Sequence, residues 1–208
     1  MNPMKLAALA AIGTILTGTA AADVIDFESV ANGTPIAGLT IGAATFTSSS
    51  LPDNWGNPYV ADDSVVYAYV DNSYLIGSCA EGNWLNIAFD GPVTGVGFGF
   101  SGPTALPEDM VAAVTLYDAG GGVIANTSFV SDTITNNMNG GPAFVQEGWA
   151  DLSSYGAISA MRVEFTFALS FSQTYKFDNL TYTPVPAPAS AFGLAGLAAV
   201  GARRRRSL

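Results

Sequence analysis

Carboxylic acids are the ionisable side chains that this sequence offers for chemistry. The chain has seventeen Asp and Glu residues, seven Lys and Arg residues and no His. Without His, the Ser-His-Asp and Cys-His mechanisms and the commonest zinc ligand are excluded. A pair of carboxyl groups could still cleave a glycosidic bond, and the available glutamates are Glu81, Glu108, Glu147 and Glu164. Their spacing does not pair them, so the sequence predicts no catalytic residue and a protein that is not an enzyme.

Aromatic rings beside small polar residues offer a second kind of chemistry. Sugar C–H faces pack against aromatic rings, while Asp and Asn side chains hydrogen-bond the hydroxyl groups. Residues 53–59 read Asp-Asn-Trp-Gly-Asn-Pro-Tyr, a composition typical of a surface loop. The candidate glycan platform consists of Trp55, Tyr59, Asp53 and Asn54. Because most aromatic residues of a β-protein belong to its core, a purely structural role for each ring stays open.

The charge distribution limits the partners of the chain. Lys5 and Arg203–Arg206 lie near the two ends, so Arg162 and Lys176 are the basic residues between them, against seventeen acidic ones. The resulting formal charge of −15 repels nucleic acid and anionic lipid. The single cysteine, Cys79, cannot form an intrachain disulfide and is expected to be a buried, inert thiol, with pairing between chains as the alternative.

The middle of the chain has the composition of many short strands. Stretches rich in Val, Ile, Thr, Phe and Tyr alternate with Gly, Pro, Asn and Asp, which favours an antiparallel β-sandwich or jelly roll over residues 23–184. The predicted strands are Val24–Glu28, Leu39–Thr47, Val65–Val70, Trp84–Phe89, Val93–Phe100, Ala112–Tyr117, Val123–Val130, Phe144–Glu147, Ile158–Phe167 and Tyr175–Thr183. Residues 117–123, Tyr-Asp-Ala-Gly-Gly-Gly-Val, predict a hairpin turn. No helix of ten or more residues is predicted outside the two ends.

Three short motifs resemble the jelly-roll domains related to carbohydrate-binding modules. They are Asp26-Phe27-Glu28, the segment 90–98 (Asp-Gly-Pro-Val-Thr-Gly-Val-Gly-Phe) and Phe177-Asp178-Asn179-Leu180. The resemblance implies that the first and last strands lie side by side and share a structural calcium ion. The matching ligands are Glu28 and Asp178, assisted by Asp26, and calcium would need further oxygen atoms from carbonyls and water. In the alternative interpretation Asp178 only caps a strand in solvent.

The N-terminus has the three parts of a secretory signal peptide, Met1–Ala22. Lys5 supplies the positive charge, and Leu6–Leu16 form an apolar run too short to span a membrane. Ala20 and Ala22 are the small residues of a cleavage site before Asp23.

The C-terminus combines a proline-rich spacer, an apolar stretch and an arginine cluster. An apolar helix over residues 187–202 would be about 24 Å long, which is short of a hydrocarbon core of about 30 Å. Arg203, Arg204, Arg205 and Arg206 would hold its end on the cytoplasmic side. The sequence therefore predicts transient insertion into the membrane, with an ordinary membrane anchor as the alternative.

Residues 185–208 resemble the PEP-CTERM sorting tail of exported bacterial proteins. Pro186, Ala187 and Pro188 match its Pro-Glu-Pro triplet, with Ala187 in place of Glu, and the apolar stretch and arginines follow in the family's order. The resemblance implies export, processing by an exosortase-type membrane enzyme and association with the cell envelope or extracellular polysaccharide. It implies no particular reaction.

Three hypotheses about function follow from these features. The first is a non-enzymatic surface or extracellular-matrix protein made of a signal peptide (1–22), a β-sandwich (23–184) and a sorting tail (185–208). The second is a calcium-dependent carbohydrate-binding module. The third is a glycoside hydrolase or lyase that uses carboxyl groups.

Overall fold

Antiparallel strands form nearly all of the regular structure. A computed structural model describes residues 21–49, 58–62, 68–79, 82–104, 108–136, 144–167 and 174–186. The strands are β1 (Asp23–Ile25), β2 (Leu39–Ile41), β3 (Ala44–Ser48), β4 (Tyr59–Asp62), β5 (Ser73–Ser78), β6 (Leu85–Thr104), β7 (Met110–Tyr117), β8 (Val123–Val130), β9 (Thr133–Asn136), β10 (Phe144–Asp151), β11 (Ile158–Phe167) and β12 (Thr174–Pro184). Within these residues the one helical element is a 3-10 turn, Ser153–Tyr155. The predicted all-β antiparallel fold is confirmed.

All twelve strands belong to one continuous hydrogen-bonded sheet, and the long strand β6 divides it into two layers, each called a sheet below. The first part of β6 pairs with β3 on one side and β11 on the other, and its last part pairs with β12 and β10. The partners change around Gly95, whose φ of 62° lies in the left-handed region that favours glycine. The first sheet therefore has the order β2-β3-β6-β11-β7-β8, and the second has the order β4-β5-β12-β6-β10-β9. Strand β1 adds to the other end of β12.

The two sheets pack face to face through aromatic side chains. Phe165 of the first sheet stacks on Tyr175 of the second, with ring centroids 4.3 Å apart. Phe46 and Phe177 meet edge to face at 6.4 Å in the same way across the two sheets. Burial of each such side chain contributes about 1.5–3 kcal/mol to folding. These contacts make the molecule a β-sandwich.

The strand boundaries differ from the sequence prediction in several places. The predicted strand Leu39–Thr47 is divided into β2 and β3 at Gly42, whose φ is 57°. The strands predicted at Trp84–Phe89 and Val93–Phe100 are one continuous strand, and β4, β5 and β9 were not predicted. The strand predicted at Val65–Val70 is wrong for residues 68–70, which form a bend because their amides bind a side chain instead of a neighbouring strand.

The two terminal segments lie almost wholly outside the described residues. The predicted signal helix and the predicted apolar helix of the tail fall on residues 1–20 and 187–208. Among the residues that are described, no helix is long and apolar enough to cross a membrane.

Candidate ligand and cation site

The outer face of the second sheet carries a group of polar and aromatic residues. Phe177 and Phe100 point into the core, so the residues before and after them point outward. One outward row crosses five strands in register. It consists of Tyr59, Ile76, Lys176, Ser101 and Glu147. At about 4.8 Å per strand this row is about 19 Å long from Tyr59 to Glu147.

A backbone segment covers part of this outer face. This strap, Ala68–Asn72, belongs to none of the strands, and three of its amides bind the Glu147 carboxylate. The Ala68 amide donates to Oε2 at 3.0 Å, and the amides of Tyr69 and Val70 both donate to Oε1. As a result Glu147 is buried although it points away from the core.

Asp178 lies in the neighbouring outward row of the same face, and it binds the other end of the strap. Its Oδ2 accepts hydrogen bonds from the Asp71 amide at 3.1 Å and from Asn179 Nδ2 at 3.3 Å. Its Oδ1 is buried and has no hydrogen-bond partner among the described residues. Burial, together with the charges of Asp71 and Asp26, raises the pKa of Asp178 to about 8, against the lowering effect of hydrogen bonds from the backbone of Asp71 and Asn179.

Two acidic residues next to β1 lie near the end of the strap, and one of them binds the residue that follows it. Glu28 Oε1 accepts the amide of Ser73, the first residue after the strap, at 3.2 Å. Asp26 Oδ1 accepts the Glu28 amide at 3.2 Å, and both acids are exposed. The pairing of β1 with β12 confirms that the first and last strands are neighbours. Three acids from three distant parts of the chain thus hold one short segment.

Strained backbone is concentrated at the same place. Phe27, Asn72 and Asn179 are the non-glycine residues with positive φ in the described part of the chain, at 58°, 38° and 51°. Each is adjacent in sequence to an acid of the site, either Asp26, Asp71 or Asp178. Conformations of this kind cost about 1–3 kcal/mol each and cluster where a ligand or a contact is held in place.

Close approach of the strap to the sheet requires a glycine on β6. A Cβ atom added to Gly99 would lie 2.0 Å from the carbonyl oxygen of Tyr69, a contact that no structure accommodates. The Tyr69 ring packs on Trp149 at 5.9 Å, and the same Tyr69 carbonyl accepts Asn179 Nδ2 at 3.1 Å. The strap therefore lies directly on the sheet.

The acids of this site could supply some, but not all, of the oxygen ligands that a cation needs. Across the described residues, no group of three or more Asp, Glu, Cys or His side chains is arranged to hold a metal ion. Asp178 Oδ1, however, is a buried carboxyl oxygen with no hydrogen-bond partner among those residues. Calcium accepts backbone carbonyls and water together with carboxylates, so a site built around Asp178 would complete its coordination in that way.

Of the four residues of the predicted glycan platform, the structure describes one. Trp55, Asp53 and Asn54 lie outside the described residues, and Tyr59 lies on the edge strand β4 with 39% of its surface exposed. The other rings differ in their surroundings. Tyr69 and Trp149 are half-buried against each other, Tyr74 is buried with Lys176 Nζ 4.2 Å from its ring centroid, and Trp84 has the Arg162 guanidinium at 5.1 Å.

The glutamates considered for glycoside cleavage are engaged elsewhere or lie far apart. Glu147 is bound by the strap on the second sheet, whereas Glu164 pairs with Arg162 at 2.8 Å on the outer face of the first sheet. The whole sandwich separates these two carboxylates, so they cannot flank one bond. Glu108 is buried, and Glu81 lies outside the described residues. Cys79 is buried and not in a disulfide, and burial raises the pKa of its thiol, as expected for an inert cysteine.

Sequence reasoning missed the strap and the role of Glu147. Glu147 was considered as a catalytic acid, and nothing in the sequence connects it with residues 68–70. A weak signal was present in Gly97 and Gly99, which interrupt the apolar run of β6 with small residues. Glycine within a strand often marks a point where another backbone approaches closely.

No model of a known protein family matches the sequence, and no curated protein matches it either. Among solved structures, TmCBM61 in complex with β-1,4-galactotriose is 9% identical, with a TM-score of 0.40 over 77% of this chain and 94% of that chain. The CBM22-1 xylan-binding domain from Paenibacillus barcinonensis Xyn10C is 14% identical, with a TM-score of 0.37 over 82% and 100%.

A third similar structure is the enzymatically active domain of tailspike protein 4 from bacteriophage CBA120, at 14% identity and a TM-score of 0.33. It matches 77% of this chain, but this chain covers only 22% of that one. TM-scores this low carry no argument about function, and the sandwich rests on its own strand pairings.

Proposed function

We propose that the protein is a non-catalytic, exported surface or matrix protein whose β-sandwich binds extracellular polysaccharide. One observation carries the proposal. On the outer face of the second sheet the acids are occupied in binding backbone amides, while aromatic rings remain accessible at the edge and beside the strap. A face of this kind can bind neutral sugars, and among its described acids Glu147 is bound by amides and so is not free to act in a cleaving pair of carboxyl groups.

Tyr59 is the residue on which we propose that a sugar packs. Its ring belongs to the outward row of the second sheet and is exposed on the edge strand β4. The predicted platform residues Asp53, Asn54 and Trp55 immediately precede it in sequence.

Calorimetric titration with a panel of neutral and acidic polysaccharides, in the presence of calcium, tests this function. We expect binding to at least one glycan, weakened at least tenfold by Tyr59→Ala. Tyr117→Ala, which changes a half-buried tyrosine on the first sheet, is the matched control and should bind as the unchanged protein does. Absence of binding across the panel would end the proposal for glycans.

Calcium is proposed as a structural ion held by Asp178, with Asp26 and Glu28 close by. The support is the buried Oδ1 of Asp178, which no described donor satisfies, and the surplus of acids around it. Addition of calcium to chelated protein should raise the midpoint of thermal unfolding, whereas magnesium, which needs a rigid octahedron, should raise it less. Asp178→Asn should abolish the calcium effect. An unchanged midpoint in calcium would contradict this part of the proposal.

Export and sorting are proposed from the two terminal segments. The intact mass of the protein recovered from producing cells and medium tests both. A mass that begins at Asp23 and ends near Pro186 is expected for a protein that has lost its signal peptide and its sorting tail. A mass that still contains Arg203–Arg206 would mean that the tail is not cut.

A further inference from the structure

The edge strands of the two sheets differ in how they are protected. Three edges are short: β2 has three residues, β9 has four, and β4 has four, including Asp62, and is bridged at Tyr59 by Pro35. Shortness, charge and covering are the usual means by which proteins prevent an edge from pairing with another chain. Strand β8 is the exception among the edges that the structure describes.

Strand β8 is long, uncharged and open. It has eight residues, Val-Ile-Ala-Asn-Thr-Ser-Phe-Val, without charge or proline, and it pairs with β7 along its length. No other strand in the described ranges pairs with its second edge. Of the six exposed large hydrophobic residues in the described part of the chain, three lie on it, namely Val123, Ile124 and Val130.

We propose that β8 pairs with β8 of a second copy of this chain, antiparallel and about a two-fold axis. This inference goes beyond the proposed function and does not depend on it. The inward residues Ala125 and Phe129 already pack on the core of their own sandwich, so the backbone edge and the outward side chains are what remains for a partner. The contact would extend the first sheet from one copy into the other.

Two copies of this chain can approach along β8 with less charge repulsion than along an acidic part of the surface. The domain carries a formal charge of −15, and copies therefore repel one another wherever acids face acids. Strand β8 is free of charge over its whole length, so an approach along it avoids this repulsion. An edge is also complementary to itself in a two-fold arrangement, because each strand offers the other the same donors and acceptors.

Symmetry restricts the register, because residues opposite one another in an antiparallel pair share a face, so the axis must pass through a residue and not between two. With the axis at Thr127, Ile124 lies opposite Val130 of the second copy, and both side chains are exposed. Asp132, which follows the strand, then lies opposite the glycines of the hairpin turn rather than another acid. An edge of eight residues buries less than about 1,200 Å², which is the range of weak associations. The measurement therefore has to extend to high protein concentration.

Sedimentation equilibrium of the full chain, from about 10 μM to 1 mM, tests the proposal in the concentration range of weak complexes. We expect the mass to rise towards that of a dimer. Asn126→Glu combined with Ser128→Glu, both on the exposed side of β8, should lower the association constant at least tenfold through like-charge repulsion. Ala113→Glu combined with Thr115→Glu adds the same charge to the same face one strand further in, and should associate as the unchanged chain does.

Three results would overturn the proposal. They are a chain that stays monomeric at the highest concentration, a control variant that dissociates as much as the β8 variant, and assemblies larger than a dimer. If the β8 variant does not fold, cross-linking replaces it. Ile124→Cys combined with Val130→Cys should yield dimers with a short bis-maleimide, whereas Ile124→Cys alone should not, because the two Ile124 residues would be about 20 Å apart. Equal cross-linking of both would exclude the two-fold pairing.

Discussion

The two outer faces of the sandwich treat their charged residues in opposite ways. On the first sheet, Arg162 and Glu164 pair with each other at 2.8 Å and keep 37% and 42% of their side chains exposed. On the second sheet, Glu147 and Asp178 are buried and bind backbone amides of the strap. Both faces arise from the same alternation of inward and outward residues along a strand. The difference lies in the strap, which covers one face and not the other.

This comparison shows that burial of a charged residue can be decided far away in the sequence. Glu147 is 77–79 residues from the amides that it binds, and Asp178 is 107 residues from the amide of Asp71. A buried carboxylate that binds several amides fixes the position of the segment that donates them. The covered face is therefore expected to be rigid and sensitive to substitution, and the open face tolerant.

The largest difference should follow from removing one glutamate on each face. Glu147→Ala leaves the amides of the strap without their acceptor, one of them the buried amide of Val70, and should lower the free energy of unfolding by roughly 3–5 kcal/mol. Glu164→Ala removes an exposed partner and should cost less than about 1 kcal/mol. Urea denaturation of both variants measures the difference. Equal losses would mean that the strap contributes little.

The pH dependence of stability should separate the faces next. The pKa of Asp178 in the folded protein is about 8, above its ordinary value of 3.8, so between these pH values the folded state keeps a proton that the unfolded chain has lost. The free energy of unfolding of calcium-free protein should therefore fall as the pH rises from about 4 to 8, by at most about 1.4 kcal/mol per pH unit.

Asp178→Asn should remove this part of the dependence, and Glu164→Gln, on the open face, should leave it unchanged. The readout is the difference between each variant and the unchanged protein at each pH, since other acids titrate in all of them. A parallel decline in Asp178→Asn would show that Asp178 is not the group responsible. Saturating calcium should also flatten the decline if the proposed ion is bound.

Two glycines of β6 offer a third comparison. Gly99→Ala would place a methyl group against the Tyr69 carbonyl and should destabilise the protein by about 1–3 kcal/mol while increasing hydrogen exchange of the strap amides. Gly91→Ala is the matched control, because nothing lies within 4 Å of the added Cβ. It should be neutral or slightly stabilising. Unchanged exchange at residues 68–70 in Gly99→Ala would contradict the close packing of the strap.

The sequence predicted the parts of this fold that depend on local alternation. Met161–Phe167 alternates apolar and polar residues, and its Met161, Val163 and Phe165 point inward as expected. The resemblance of the first and last motifs to jelly-roll domains also predicted correctly that β1 and β12 are neighbours. The first success rests on a pattern within a few residues, whereas the second rests on the resemblance, since β1 and β12 lie far apart in sequence.

The parts that were missed depend on long-range contacts or on weak local patterns. Residues 65–70 are as apolar as a strand, but residues 68–70 serve as the strap because Glu147 supplies their acceptor. Strand β5 begins and ends with Ser and contains Gly77, a composition that reads as a loop. Its strand conformation comes from pairing with β4 and β12. The local sequence names the partner in neither contact.

The smallest expected effect concerns the ion pair on the open face. A double-mutant cycle with Arg162→Ala and Glu164→Ala should give a coupling of about 0.2–1 kcal/mol, because water screens exposed charges and the side chains lose rotational freedom when they pair. Raising the ionic strength to about 1 M shortens the screening length to about 3 Å and should weaken the coupling further. The cost of Glu147→Ala should hardly respond to salt, since its carboxylate is buried. A coupling on the open face as large and as insensitive to salt as the Glu147 effect would show that the strap is not what distinguishes the two faces.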